Sequence, residues 1–202
     1  MFVLTVDQVG SRCESDAVPS LDEVDGANRA LVGFDRTAGD EAQAVFDDAA
    51  AALTCALGLA IMGTWHCGIG QGQIDLPLPD TAREGRGSAF VNARSAVEAA
   101  KKSGSHHLGF VSDDPLGAGI QAALRVVVAL RSKQRHTTRE AYDLALEGGT
   151  QAHIAERLGI SQQAVSDRLA SGMYRELEDL KAGALHWAEA LDRATLPGEA
   201  RS

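Results

Sequence analysis

The stretch TQAHIAERLGISQQAVSDRL, Thr150 to Leu169, decides the architecture of the second half of this chain. Thr150 to Leu158 reads as a short capped helix, Gly159-Ile160-Ser161 as a turn, and Gln162 to Ser171 as a second helix with Ser161 as its N-cap. Ile154, Leu158, Ile160, Val165 and Leu169 fall where two crossing helices share a small core. Ala155 is small enough for the crossing, and Gly159 permits the tight turn. The pattern predicts a helix-turn-helix. Just upstream, Thr137 with Glu140 has the spacing of a capping box for a helix over Arg139 to Leu146, whose Ala141, Leu144 and Ala145 close a three-helix core.

In such a unit the exposed early residues of the second helix enter the major groove of double-stranded DNA, which makes Gln162, Gln163, Ser166 and Asp167 candidate base readers. Glutamine pairs bidentately with adenine, and aspartate accepts from the cytosine N4 amine. Ser161, Arg168 and the amides at the helix start are candidate phosphate contacts. The string from Ile154 to Leu169 resembles the recognition units of MarR-like and ArsR-like bacterial regulators, which implies sequence-specific transcriptional regulation. Basic and acidic residues are about equal between Arg131 and Lys181, so this half lacks the usual positive excess, and a homodimer would help by doubling the phosphate contacts. Tyr174 to Leu191 carries Leu177, Leu180, Leu185, Trp187, Ala188 and Leu191 on an amphipathic pattern, suited either to a dimer helix or to packing within the chain.

The first half alternates differently. Phe2 to Val6 is a β-prone run ending on Asp7, and Ser20 with Glu23 has capping-box spacing for a short helix. Leu31 to Phe34 and Ala44 to Phe46 flank a Gly39-Asp40 hairpin signal. A helix over Asp47 to Ile61, a strand over Trp65 to Ile74, a helix over Ala89 to Lys102 and a strand over His107 to Val111 follow. This order predicts an α+β chain: a ferredoxin-like domain over 1–112, a connecting helix over 113–136 and a helical domain over 137–202. Pro115 to Gly119 is the expected boundary, and Val126-Val127-Val128 sits inside a helical pattern.

Asp7 and Gly39-Asp40-Glu41 are expected to converge at one sheet edge, where Asp7 and Asp40 would hold Mg²⁺ beside a nucleotide phosphate. That layout is similar to nucleotide-cyclase and GGDEF-type palms. The set Asp7, Ser11-Arg12, Gly39-Asp40-Glu41 with Gln43, Gly68 to Gly72, Gly87, Ala93-Arg94 and Ala99 to Lys101 resembles SatD-family proteins across most of residues 1 to 112. The resemblance implies a cyclase-like palm with Asp7, Ser11, Arg12, Asp40 and Glu41 around a nucleotide. This chain departs from the enzymes: the GGDEF-like string is Ala38-Gly39-Asp40-Glu41-Ala42, and no phosphate-binding lysine follows Arg12. A sensor or dimerisation role is therefore expected in place of catalysis. The competing readings are an active nucleotidyl-transfer enzyme with a regulatory helical tail, and an adaptor whose helix-turn-helix docks on a protein.

Composition bounds these readings. The 202 residues are 45% hydrophobic and 23% charged, values of an ordinary globular chain. The net charge of -9 counts against non-specific wrapping of nucleic acid, though not against a local reader. Cys13, Cys55 and Cys67 lack a CxxC pairing and predict reduced structural thiols. The opening residues lack a secretory signal, and the apolar stretch from Ala49 to Trp65 is broken by Thr54, Gly58 and Gly63, so a cytoplasmic protein with no membrane contact is expected. His66 and His106-His107 show no ligand spacing and predict solvated or packed histidines; Cys67 beside His66 points to the opposite strand face and makes no dyad.

Overall fold

Short apolar runs and Ala-rich amphipathic segments alternate along the chain, and the computed structural model, which describes residues 1–10, 17–102 and 107–195, assembles them into an α+β fold. Ser11, Arg12, Cys13 and His106 lie outside the described residues. The strands are β1 (Phe2–Gln8), β2 (Val32–Ala38), β3 (Glu41–Phe46), β4 (Trp65–Gln71) and β5 (Leu108–Val111). The helices are α1 (Ala49–Met62), α2 (Ser88–Lys102), α3 (Leu116–Arg131), α4 (His136–Leu146), α5 (Gln151–Leu158), α6 (Gln162–Ser171) and α7 (Tyr174–Thr195). Among the described residues no helix is long and apolar enough to cross a membrane.

The five strands form one mixed sheet in the order β2-β3-β1-β4-β5. Strand β1 is antiparallel to both β3 and β4, β2 and β3 form the hairpin, and β5 is parallel to β4. The parallel pair needs a long crossover, which α2 supplies. Because β1 is central and covered on both sides, Phe2 to Val6 is apolar except for Thr5, which receives the amide of Gln43 at 2.9 Å. Phe2, Leu4 and Val6 face a core shared with α1, α3 and α7; Val3 and Val45 face α2 through Ala89 and Ala93.

Helix α2 lies very close to the sheet because β4 and β5 are glycine where it crosses. A Cβ on Gly68 would stand 2.2 Å from Val97 N, one on Gly70 2.1 Å from Ala89 O, and one on Gly109 2.1 Å from Ala96 O. Gly68 and Gly70 therefore serve helix packing, the close-approach use of glycine in a strand.

Several local expectations are corrected. Ser20 and Glu23 do not form a capping box: Val18–Glu23 is a 3-10 helix whose N-cap is Ala17, and the Ser20 hydroxyl donates to the Ala17 carbonyl at 2.7 Å. Thr137 is likewise inside α4, which begins at His136 with Arg135 as an N-cap lacking a side-chain bond. Pro115 to Gly119, the expected boundary, coincides with the start of α3, inside the expected connecting helix, and Gly117 lets that helix approach Ser112. The apolar face of α7 is covered within the chain: Leu177, Ala184, Ala188 and Leu191 are buried in the core with α1 and α3. A separate, smaller core lies among α4, α5 and α6, built from Ala141, Ile154, Ala155, Val165 and Leu169.

Arg131, the last residue of α3, links the core of α1, α3 and α7 to the helices α4 to α6. Its guanidinium is almost buried, stacks 3.7 Å from the centroid of the Tyr142 ring and donates to Asp143 Oδ1 at 2.6 Å. The Tyr142 hydroxyl donates to Glu178 on α7 at 2.6 Å, and its ring meets Tyr174 edge-on. Burial first, then the Glu178 carboxylate, push the Tyr142 hydroxyl pKa far above its ordinary value, so it stays a donor at any physiological pH.

Candidate nucleic-acid interface

Backbone capping fixes the α5 to α6 connection. The Thr150 hydroxyl accepts from His153 N at 3.3 Å at the start of α5. At its end Gly159 has φ +64°, and the amides of Gly159 and Ile160 donate to Glu156 and Ala155 carbonyls at 3.2 and 3.0 Å. This closes the helix in a left-handed cap. The space around Gly159 is open, so Gly159→Ala carries only the conformational cost of the left-handed backbone. A loss of about 1–2 kcal/mol in urea unfolding is expected, with the helix content unchanged below the transition.

Ser161 then caps α6, its hydroxyl accepting from Ala164 N at 3.1 Å. Val165 and Leu169 turn into the small core, which leaves Ser161, Gln162, Gln163 and Asp167 exposed and Ser166 and Arg168 half-buried. The Gln163 amide donates to Asp167 Oδ1 at 2.9 Å, so these two expected readers form one polar unit a helical turn apart. Arg168 reaches back to the Thr137 carbonyl at 3.4 Å and ties α6 to the start of α4.

Beside this face runs a groove of about 540 Å³, lined among others by Lys133, Arg135, Thr137, Asp167, Arg168 and Ser171. Lys133 and Arg135 are exposed and make no ion pair among the described residues. The groove beside α6 is lined by Lys133, Arg135 and Arg168 with one acid, Asp167, whereas on α7 Glu176, Glu178 and Asp179 are interspersed with Arg175 and Lys181. Sequence inspection missed Lys133 and Arg135 because a local charge sum does not say which residues share a surface.

Two of the acids expected at the sheet edge, Asp7 and Glu41, are neighbours: they are direct partners across β1 and β3, on the side of the sheet that α2 covers. Each is held by a cation of that helix: Lys101 Nζ lies 2.8 Å from Asp7 Oδ2, and Arg94 bonds Glu41 Oε2. Thr37 donates to Glu41 Oε1 at 2.6 Å. Burial works against the Lys101 charge, but its hydrogen bonds to Asp7 and Glu98 raise its pKa overall. Asp40 sits in the hairpin turn with Gly39. Among the described residues no three His, Cys, Asp or Glu side chains gather as a metal-holding set. The expected Mg²⁺ pair Asp7 and Asp40 therefore gains no third ligand here, and Ser11 and Arg12, expected at the nucleotide, fall outside the described residues.

His66 and His107, expected as solvated or packed histidines, are neighbours in space. Their Nδ1 atoms stand 3.3 Å apart, with ring centroids 4.9 Å apart. Burial and then His107 lower the His66 pKa, opposed by Asp7 and reinforced by Lys101. The two described cysteines are free, as expected of structural thiols, and unreactive: burial pushes Cys55 up to about 12 and Cys67 well above its ordinary value. Comparison with family models, curated proteins and solved structures finds no match to this chain, so its function rests on these residues.

Proposed function

We propose that this chain is a sequence-specific DNA-binding transcriptional regulator, in which α5, the Gly159 turn and α6 form a helix-turn-helix and α6 is the recognition helix. The observation that carries this reading is the pairing of an exposed Gln162, Gln163 and Asp167 face on α6 with an adjoining groove bearing Lys133, Arg135 and Arg168. Base readers need protruding donors and acceptors; phosphates need cations flanking the same helix. In this proposal Gln162, Gln163, Ser166 and Asp167 face base edges, and Ser161, Arg168, Lys133 and Arg135 face the backbone.

The sheet supports a ferredoxin-like palm as the partner domain: a hairpin, a central first strand and a helix crossover arranged as β2-β3-β1-β4-β5. With Asp7 and Glu41 both engaged by α2, the palm serves in this proposal as a scaffold or sensor. A cytoplasmic homodimer reading two half-sites completes it, since a second copy doubles the phosphate contacts.

The test is selection from random duplexes by the full chain, followed by fluorescence anisotropy at two salt concentrations. One enriched sequence is expected. Gln163→Ala is expected to cost about 1–3 kcal/mol of discrimination at one position of it. Lys133→Ala and Arg135→Ala are expected to weaken all duplexes alike and to reduce the salt slope by about one each. Absence of enrichment, together with salt-independent signal, would overturn the proposal and leave α6 as a protein-docking helix.

A further inference from the structure

The pairing of β4 with β5 brings two imidazoles to one rim of the sheet. His66 lies on β4 opposite Asp7 of β1, and His107 immediately precedes β5, its carbonyl accepting from Cys67 N at 2.7 Å. Both residues are half-buried. His107 holds φ +27°, a backbone conformation that L residues rarely adopt, and its ring stands against that of His66.

We propose that His66 and His107 form a bidentate site for a divalent transition ion of the zinc class, bound through their facing Nδ1 atoms. The distance fits a shared ion, as it also fits one N–H···N hydrogen bond between the rings. Two nitrogens each about 2.0–2.1 Å from a tetrahedral zinc stand about 3.3–3.4 Å apart. The Nδ1 atoms are at 3.3 Å before any rearrangement. Unmetallated, two imidazoles at this separation share a single proton between two acceptor lone pairs. A borderline-soft cation satisfies both lone pairs at once, whereas Mg²⁺ prefers oxygen ligands.

The surrounding charges are Asp7 on β1, and Lys101 and Glu98 on α2, with Asp7 already joined to Lys101 and Lys101 to Glu98. Two protein nitrogens therefore hold the ion and water fills its other positions, which makes the site open. Cys55 and Cys67 are buried thiols and do not compete for the metal.

Titration of the untagged full chain, carrying Cys13→Ser, with Zn²⁺ at neutral pH tests this by calorimetry, with Mg²⁺ as the comparison. One saturable Zn²⁺ site and no Mg²⁺ site are expected. His66→Gln and His107→Gln should each weaken Zn²⁺ binding by about tenfold or more, since even an outer-shell partner is worth about 10–100-fold in affinity. Thermal unfolding in chelator shows whether each variant is folded. In the parent protein, Zn²⁺ should shift the Nδ1 resonances of these two rings in ¹⁵N spectra, a readout that needs no variant. No saturable binding, binding unchanged by either substitution, or unmoved Nδ1 resonances would overturn the site and leave the pair as a proton-sharing contact.

Discussion

Gly70→Val is expected to lower the stability of the protein by about 3 kcal/mol or more and its midpoint of thermal unfolding by about 10 °C. The first new carbon alone would stand 2.1 Å from Ala89 O, 2.2 Å from Ala93 N and 2.8 Å from Ala93 Cα. All three are backbone atoms of α2, so no rotamer change relieves the overlap, and the helix must lift from the sheet. Lifting it also opens the Gly68 and Gly109 contacts and draws Lys101 and Arg94 away from Asp7 and Glu41. The control is Gly33→Val on β2, where a Cβ meets nothing within 4 Å. That change is expected to fall within about 0.5 kcal/mol, as for most surface positions. Urea denaturation of both variants followed by circular dichroism makes the comparison; equal shifts would show that α2 is not held at the distance described.

Arg131→Ala is expected to cost about 2–3 kcal/mol, the second largest single effect. The side chain is 7% exposed, yet its partner Asp143 is 52% exposed and can recover water when the guanidinium is gone. The loss therefore falls at or below the lower end of the range for breaking a buried ion pair, about 3–5 kcal/mol. Part of it is the cation stacked on Tyr142, worth about 2 kcal/mol when desolvated. Arg131→Lys keeps the charge without the planar fork and should recover less than half of the loss. Tyr142→Phe keeps the stacked ring and removes only the hydroxyl bond to Glu178, for an expected cost of about 1–2 kcal/mol. Because Arg131, Tyr142 and Glu178 join α3, α4 and α7, their loss should also make the α4 to α6 core unfold ahead of the sheet. Coincident transitions by near-ultraviolet and far-ultraviolet dichroism in Arg131→Ala would contradict that separation.

The helical half was legible where its signals are local. Thr150, Gly159 and Ser161 act at the positions their chemistry assigns, because capping joins atoms within a few residues of one another. The Gly39-Asp40 hairpin and the alternation of strands and helices in the first half were legible for the same reason. Capping-box spacing misled at Ser20, where a short 3-10 helix has its hydroxyl donate backwards to Ala17, and at Thr137, where α4 starts earlier. A four-residue pattern specifies a cap only if the helix begins there, and packing decides where it begins.

The element order, the small core among α4, α5 and α6, and the exposed polar face of α6 were legible in the residues, because each follows from periodicity and short-range hydrogen bonding. The remaining contacts depend on how the elements pack. Strand register set Asp7 beside Glu41, and the closeness of α2 gave those acids to Lys101 and Arg94, the latter pair 53 residues apart. The parallel pairing of β4 and β5 brought together His66 and His107, 41 residues apart. The apolar stripe of α7, readable from spacing alone, found its cover on α1 and α3. Coulombic and packing partners are chosen by distance in space, and chain separation carries no information about that distance once the sheet has formed.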